Sequence, residues 1–281
     1  MKLLEVTVRT ALQQATKILD EEHVAAARLT AEVLLAHALK RERPYLYDHP
    51  EQELTEIEWI HYGRYLAERT DGKPTQYITG RQEFYGREFR VTPHVLIPRP
   101  ETEHVVETAL EVASQARRIV DAGCGSGAIA ITLALETGAH ECGTDISPAA
   151  LLVASENALR LRAGVEWLVC DLLSAVRDGS VDLVVSNPPY VPSGDQAYLQ
   201  REVRDYEPAV ALYAGPTGFE IYELIIQDAE RVLGPGGWLV LELGYNSSHR
   251  VSGMLGARWQ EPHITPDLAG IPRVLATRLM P

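Results

Sequence analysis

Between Val6 and Arg69 the apolar residues recur at steps of three and four. Ala11, Leu12, Ala15, Ile18 and Leu19 form one group, Val33, Leu34, Leu35, Ala38 and Leu39 a second, and Ile57, Ile60 and Leu66 a third. That period predicts amphipathic helices. Asp71-Gly72-Lys73-Pro74 interrupts it, and the aromatic residues between Gln76 and Val95, spaced around Gly80 and Gly86, predict a hairpin linker. From about Pro98 the pattern changes to short apolar runs separated by helical stretches. Ile119-Val120 leads into a glycine loop and an apolar helix over 128–135; a run over 142–146 precedes a helix opened by Ser147-Pro148; runs over 165–170 and 181–185 read as strands. A helix over 219–233, a turn at Gly234-Pro235-Gly236-Gly237, a strand over 238–243 and a last strand over 274–279 complete the series. Alternation of this kind predicts a doubly wound, Rossmann-like α/β sheet. The expected organisation is a helical domain over 1–75, a β-hairpin linker over 76–97 and a sheet domain over 98–281.

The chain has 281 residues, 46% of them hydrophobic, which is enough for real cores in two domains. Its net charge of −13 opposes any partner recognised through phosphate neutralisation, so direct nucleic-acid binding is not expected. Cys124, Cys142 and Cys170 are odd in number and lack metal-ligand spacing, which suits a reducing compartment and no metal. Leu3-Leu4 is followed by acidic Glu5, and no apolar run approaches the ~20 residues of a membrane span. A cytoplasmic protein without a membrane partner is expected, and a monomer.

Candidate chemistry sits where strands end. Asp121-Ala122-Gly123-Cys124-Gly125-Ser126-Gly127 lies between a strand and a helix, where glycines permit a tight turn and close approach of a ligand to the backbone. Asp145, followed by Ile146, ends the next strand at the position from which a carboxylate accepts from both ribose hydroxyls of a nucleoside. Asp171 ends the third strand; it can accept from an adenine amino group while Leu172 covers the base. Taken singly, Asp145 or Asp171 reads more readily as a helix N-cap or a solvated strand end; three strand ends in register favour a ligand site. The loop is Gly-x-Gly-x-Gly, lacking the dinucleotide spacing, and it has no phosphate-binding Lys. A ligand with ribose, adenine and no pyrophosphate fits, and S-adenosyl-L-methionine, leaving S-adenosyl-L-homocysteine as product, is the expected cofactor. Asp121 can face its charged amino or sulfonium end, or can serve as a loop-fixing acceptor.

Ser186 ends the 181–185 run, and Asn187-Pro188-Pro189-Tyr190 follows. Two prolines hold the backbone, so an Asn side-chain oxygen and the Pro188 carbonyl can grip both hydrogens of a planar NH2 group. A strand-ending turn is the plain alternative for these four residues. Tyr190 packs against a flat amide in one reading and closes the loop over the core in the other.

With these residues in place, the sequence closely resembles the HemK/PrmC family of protein-(glutamine-N5) methyltransferases that modify peptide-chain release factors. The resemblance covers nearly the whole chain. It rests on Gln76-Tyr77-Ile78-Thr79-Gly80, Glu83-Phe84-Tyr85-Gly86, Val95-Leu96-Ile97-Pro98-Arg99-Pro100-Glu101-Thr102-Glu103, the glycine loop with Ala128-Ile129-Ala130, Ser186 to Tyr190, and Glu202-Val203-Arg204 through Gly218-Phe219. It implies a class I S-adenosylmethionine-dependent methyltransferase sheet, cofactor at Gly123–Gly127, Asp145 and the Asp171-Leu172 corner, and Asn187 with Pro188, Pro189 and Tyr190 around the glutamine of the Gly-Gly-Gln motif in class I release factors. Many relatives carry an aromatic residue where Leu172 stands, and often Thr in place of Cys124. Arg99 and Glu101 are expected either to order a loop over the cofactor or to form a plain salt-bridged linker. Two rivals are weighed: a nucleic-acid amino (adenine N6-type) methyltransferase, which shares Asn-Pro-Pro-Tyr, and a nucleoside-binding module without catalysis.

Overall fold

The computed structural model describes residues 6–281, so Leu3, Leu4 and Glu5, on which the expected lack of a targeting segment partly rests, lie outside it. The chain divides into two compact units. One runs to Gly80 and takes in Gln200–Tyr206; the other comprises Arg81–Leu199 and Glu207–Pro281.

The first unit is built from helices Val8–Glu21, Ala27–Leu39, Pro44–Asp48, Glu56–Thr70 and Thr75–Thr79. Thr7 and Thr55 open two of them with capping boxes, each satisfying backbone N–H groups that a helix start leaves unpaired. Val8, Ala11, Leu12, Ala15 and Leu19 pack into one core with Ala31, Leu34, Leu35, Tyr62 and Leu66. The apolar stripe expected on the fourth helix is wrong in one respect: Ile57 and Ile60 are 67% and 59% exposed. At about 3.6 residues per turn Ile57 lies opposite Leu66, and the face that turns inward carries Tyr62, whose hydroxyl donates to the Ala31 carbonyl at 3.1 Å. Residues 76–79 are helical, where the aromatic pattern predicted the start of a hairpin. Helix Arg201–Tyr206 belongs to this unit and not to the sheet: Arg69 donates to Glu202 at 2.7 Å and Tyr206 to the Asp71 carbonyl at 3.2 Å.

The second unit opens with an antiparallel hairpin of β1 (Arg81–Phe84) and β2 (Arg87–Arg90). Tyr85 and Gly86 turn it with φ of 50° and 68°, the paired left-handed conformation that matches strand twist. The main strands are β3 (Arg118–Ala122), β4 (His140–Asp145), β5 (Val165–Val169) and β6 (Val181–Ser186); a short pair, β7 (Val191–Pro192) and β8 (Tyr213–Gly215), follows, then β9 (Leu233–Glu242), β10 (His263–Pro266) and β11 (Pro272–Arg278). The seven-stranded order is β10-β11-β9-β6-β3-β4-β5, parallel from β9 to β5, with β11 antiparallel to both its neighbours.

Both faces are covered at the centre of the sheet, which is why 183–185 and 238–241 read as unbroken apolar runs. Ile119, Leu183, Val185 and Val240 face the helices Glu103–Val112 and Ala128–Thr137 and the Phe84 and Phe89 rings; Val120, Val184, Leu239 and Leu241 face helix Glu220–Val232 through Tyr222, Ile225 and Ala229. The Gly-Pro-Gly-Gly turn is a bulge inside β9: Val181 pairs with Leu233 and Leu183 with Trp238, so 234–237 loop out of register. Edge strand β10 escapes prediction because its only large apolar residue is Ile264. The chain enters the sheet at β3, fills one side and returns to fill the other from β6. The gap between β3 and β6 is therefore the switch point, where ligand sites of such sheets form at the strands' carboxyl ends. No helix of the described residues is long and apolar enough to cross a membrane.

Candidate active site

At that switch point a cavity of about 350 Å³, within the usual size range of ligand sites, is walled by the ends of β3, β4, β5 and β6. The loop after β3 carries Gly123, Gly125 and Gly127 at φ of 73°, 54° and 79°. A side chain at Gly123 or Gly125 would meet no atom within 4 Å, so the backbone there faces open space. Gly127 has a different reason: a Cβ would lie 2.9 Å from the Trp167 ring, and this residue packs beneath the wall. The loop is pinned from the neighbouring strand, since Gly123 and Cys124 N–H both donate to the Thr144 carbonyl at 2.9 Å.

Asp145 ends β4 in the wall. Its Oδ2 accepts from Gly125 N–H at 2.9 Å and its Oδ1 from Ser147 N–H at 2.8 Å, so it ties the loop to the next helix. Each oxygen keeps a further lone pair for a hydroxyl group. Ile146, 54% exposed, and Ser126 also line the wall. Beyond β5, the strand next to β4, Asp171 and Leu172 also line the cavity. Leu172 holds φ at 45°, a left-handed conformation that is strained for a Leu, and Thr144 Oγ1 secures its carbonyl at 2.7 Å.

Of the two roles expected of Asp121 the structure shows the supporting one: it lies under the loop, 1% exposed, and is absent from the cavity wall. Its Oδ2 accepts from Ala130 N–H at 3.2 Å while Oδ1 is buried without a partner. Burial pushes its carboxyl up to about 7, the Ala130 N–H opposing and the Asp145 charge adding to the shift. Burial likewise raises the Cys124 thiol, so this wall residue stays protonated and is no nucleophile.

Across the cavity, Ser186 Oγ donates to the Ala122 carbonyl at 2.6 Å and locks the ends of β6 and β3 together. Asn187 and Pro189 reach the wall; Pro188 is buried behind it. Tyr190 turns away into the core, where a Cβ on Gly244 would stand 2.9 Å from its ring. Of its two expected roles the structure shows closure of the loop over the core. Asn187 Nδ2 donates to Thr102 Oγ1 at 3.0 Å, and Thr102 Oγ1 donates to Glu242 Oε2 at 2.6 Å.

Two wall segments were missed. Val95, Leu96, Pro98 and Thr102 form a strap, and Pro208, Val210, Ala211 and Tyr213 face the cavity from beyond the sheet. Arg99 pairs with buried Glu207, joining the strap to the second segment, while Glu101 is exposed. The run of Val95, Leu96 and Pro98 carried the signal, but nothing local shows that it folds back across a glycine loop distant in sequence.

Sheet order, glycine loop and amide-bearing strand end define the class: an S-adenosylmethionine-dependent methyltransferase of class I fold. Two family descriptions match, the PrmC N-terminal domain over residues 10–80 and the methyltransferase small domain over 102–203. A release factor glutamine methyltransferase of Koribacter versatilis is 45% identical over 277 residues, covering 97% of this chain and 99% of the relative. Its counterpart in Nitratidesulfovibrio vulgaris is 40% identical over 280 residues, covering 97% and 95%. The chain belongs to the release factor glutamine methyltransferase family. Among solved structures, the hMettl16 catalytic domain bound to a 3′UTR hairpin superposes with a TM-score of 0.55 at 16% identity, covering 77% of this chain and 83% of that one. The 16S rRNA methyltransferase RsmC of Thermus thermophilus, solved with AdoMet and guanosine, gives 0.51 at 20% identity over 71% of this chain and 49% of its own. At those identities the likeness is one of fold.

Proposed function

We propose that this protein methylates the side-chain amide nitrogen of the glutamine in the Gly-Gly-Gln motif of class I peptide chain release factors, acting in the cytoplasm as a monomer without direct nucleic-acid contact. The observation that carries this reading is that Asn187 lines the same cavity as the glycine loop and Asp145. The site fits the cofactor: backbone opens to empty space at Gly123 and Gly125, Asp145 keeps acceptor capacity at the wall, and exposed Asp171 and half-buried Leu172 line the cavity at the end of the next strand. Gly123–Gly127, Asp145 with Ile146, and Asp171-Leu172 would hold the amino-acid end, ribose and adenine in that order, with Asp121 supporting the loop from beneath. Bound there, S-adenosylmethionine supplies an electrophilic methyl group.

The chain's own task is to present a poor nucleophile. A carboxamide lone pair is delocalised, and Asn187 Oδ1 with the Pro188 carbonyl would accept the two NH2 hydrogens, fixing the amide plane. Pro188 and Pro189 stiffen that carbonyl's position. Holding the nitrogen in line with the methyl group contributes up to roughly 7–11 kcal/mol through positioning. The amide proton then leaves to water, so no side-chain base is required. The helical unit, which carries no cofactor motif, would recognise the folded release factor.

Incubation of the purified protein with labelled S-adenosylmethionine and release factor, followed by mass analysis of the Gly-Gly-Gln peptide, should show a gain of one methyl group. Label appearing on DNA or RNA and not on release factor would overturn the reading. The acidic charge of −13 opposes that outcome.

A further inference from the structure

Asn187 can grip a substrate NH2 only if its oxygen, and not its own NH2, faces the cavity. A primary amide is nearly symmetric in shape, so the protein must supply the difference. Glu242 ends β9 beside the Asn187 strand, where Ser186 and Leu241 are register partners, and it is 3% exposed. Thr102 closes the short 3-10 turn Pro100–Thr102 and is 4% exposed. The Thr102 hydroxyl sits between them, at 2.6 Å from Glu242 Oε2 and 3.0 Å from Asn187 Nδ2.

We propose that Thr102 and Glu242 are positioning residues for methyl transfer, setting which end of the Asn187 amide faces the substrate; this rests on Asn187 being the amide clamp. Burial raises Glu242 to about 7, so above that pH it is a carboxylate that only accepts, and the single Thr102 hydrogen is committed to it. The Thr102 oxygen is then left with lone pairs alone, and only the NH2 end of Asn187 satisfies it. Oδ1 is thereby turned outward. The cations nearest Glu242 are engaged elsewhere: Arg273 bonds Asp267 at 2.9 Å and Arg99 pairs with Glu207. Exposed Glu101 and the buried phenols of Tyr190 and Tyr222 complete the surroundings, the latter donating to the Glu242 backbone carbonyl at 2.9 Å. The two outer members, Asn187 and Glu242, lie 85 and 140 residues from Thr102, which makes the relay a product of the fold.

Steady-state kinetics on release factor, cofactor calorimetry and thermal melts on T102V, T102S, E242Q, N187A and the T102V/N187A pair test this. T102V, isosteric but without a hydroxyl, should lower kcat roughly 10- to 100-fold through misplacement of the clamp, with KM and cofactor affinity within about twofold of wild type. T102S should restore most of the rate. E242Q, whose amide accepts or donates, should fall between them. Because Thr102 acts through Asn187, adding T102V to N187A should cost nothing further. A fully active T102V, or an additive loss in the double variant, would overturn the relay while leaving the clamp intact. Near-normal turnover by N187A would instead remove the clamp itself and the relay with it. If T102V fails to fold, E242Q decides: wild-type kcat in a folded E242Q protein rules the relay out.

Discussion

Glu32 in the helical unit and Asp121, Glu141 and Glu242 in the sheet unit are buried carboxylates treated in opposite ways. In the helical unit, Glu32 is 3% exposed and fully served: Arg28 and Arg43 donate at 2.7 and 2.9 Å and Tyr47 at 2.7 Å. Burial pushes its carboxyl up, but the hydrogen bonds from Tyr47, Arg43 and Arg28 and the Arg28 charge outweigh it, and the group sits below its ordinary value. In the sheet unit, Asp121 has one unpartnered oxygen, Glu141 has two, and Glu242 is bonded by a neutral hydroxyl. Burial holds Asp121 and Glu242 up to about 7 and Glu141 well above its usual range. A charge that only holds a fold together is surrounded by cations. Glu207, which joins two stretches of the cavity wall, is likewise paired with Arg99, whereas Asp121 and Glu242 are kept short of partners, where they can direct polar groups at a cost in stability.

The sharpest break of this contrast lies at the site. Asn187→Ala should lower kcat on the order of 10²–10³-fold and spare cofactor affinity, because one oriented acceptor at a reacting centre is worth that much. Asn187→Asp, which keeps the acceptor oxygen, should be milder; equal losses in two folded, cofactor-binding variants would sink the acceptor role. Asp145→Ala comes next. It should weaken S-adenosylmethionine binding by roughly 10- to 100-fold in calorimetry, since hydroxyl groups would lose a charged acceptor and the loop its tie at Gly125. An unchanged dissociation constant would take Asp145 out of the site.

Smaller effects test the carboxylates as such. Asp121 titrates at about 7 in the fold against an ordinary 3.8, so its contribution to stability is fully present below about pH 4 and lost as pH rises through about 7. Urea unfolding of wild type against Asp121→Asn should show the wild type losing ground over that window, by at most about 1.4 kcal/mol per pH unit. A pH-independent difference would mean that Asp121 is not buried as an acid. Glu32→Gln should cost only about 1 kcal/mol, because its arginines are half exposed and screened, and should leave kcat alone. Its sign is the reverse: a depressed carboxyl stabilises at neutral pH and loses that stabilisation as pH falls, so the wild-type advantage over Glu32→Gln should vanish in acid.

How much was legible follows from the range of each interaction. Strand-loop-helix punctuation is local, so Gly123–Gly127, Asp145, Asp171 and Asn187 stood out at strand ends, and the structure brings all of them except Gly127 to one cavity. Burial of both faces at the centre of the sheet is likewise written in the apolar runs 183–185 and 238–241. Which face of the Glu56–Thr70 helix turns inward was not legible, because Ile57 and Tyr62 compete and only packing against Ala31 decides. Nor did the sequence decide between site and support for Asp121 and Tyr190, whose polar ends fit either role until neighbours bury them.

The order of apolar and polar residues alone thus determined two kinds of architecture and the chemistry available at the strand ends, since turn geometry and hydrophobic period act over a few residues. Only the tertiary structure decided that the Val95–Thr102 stretch closes the cavity, that residues 200–206 join the helical unit, and that Thr102 meets both Glu242 and Asn187. Those contacts join residues tens to more than a hundred positions apart. No local pattern encodes them, because they arise when parallel strands bring distant carboxyl ends side by side and leave each buried polar atom to be satisfied by whatever lies within about 3 Å.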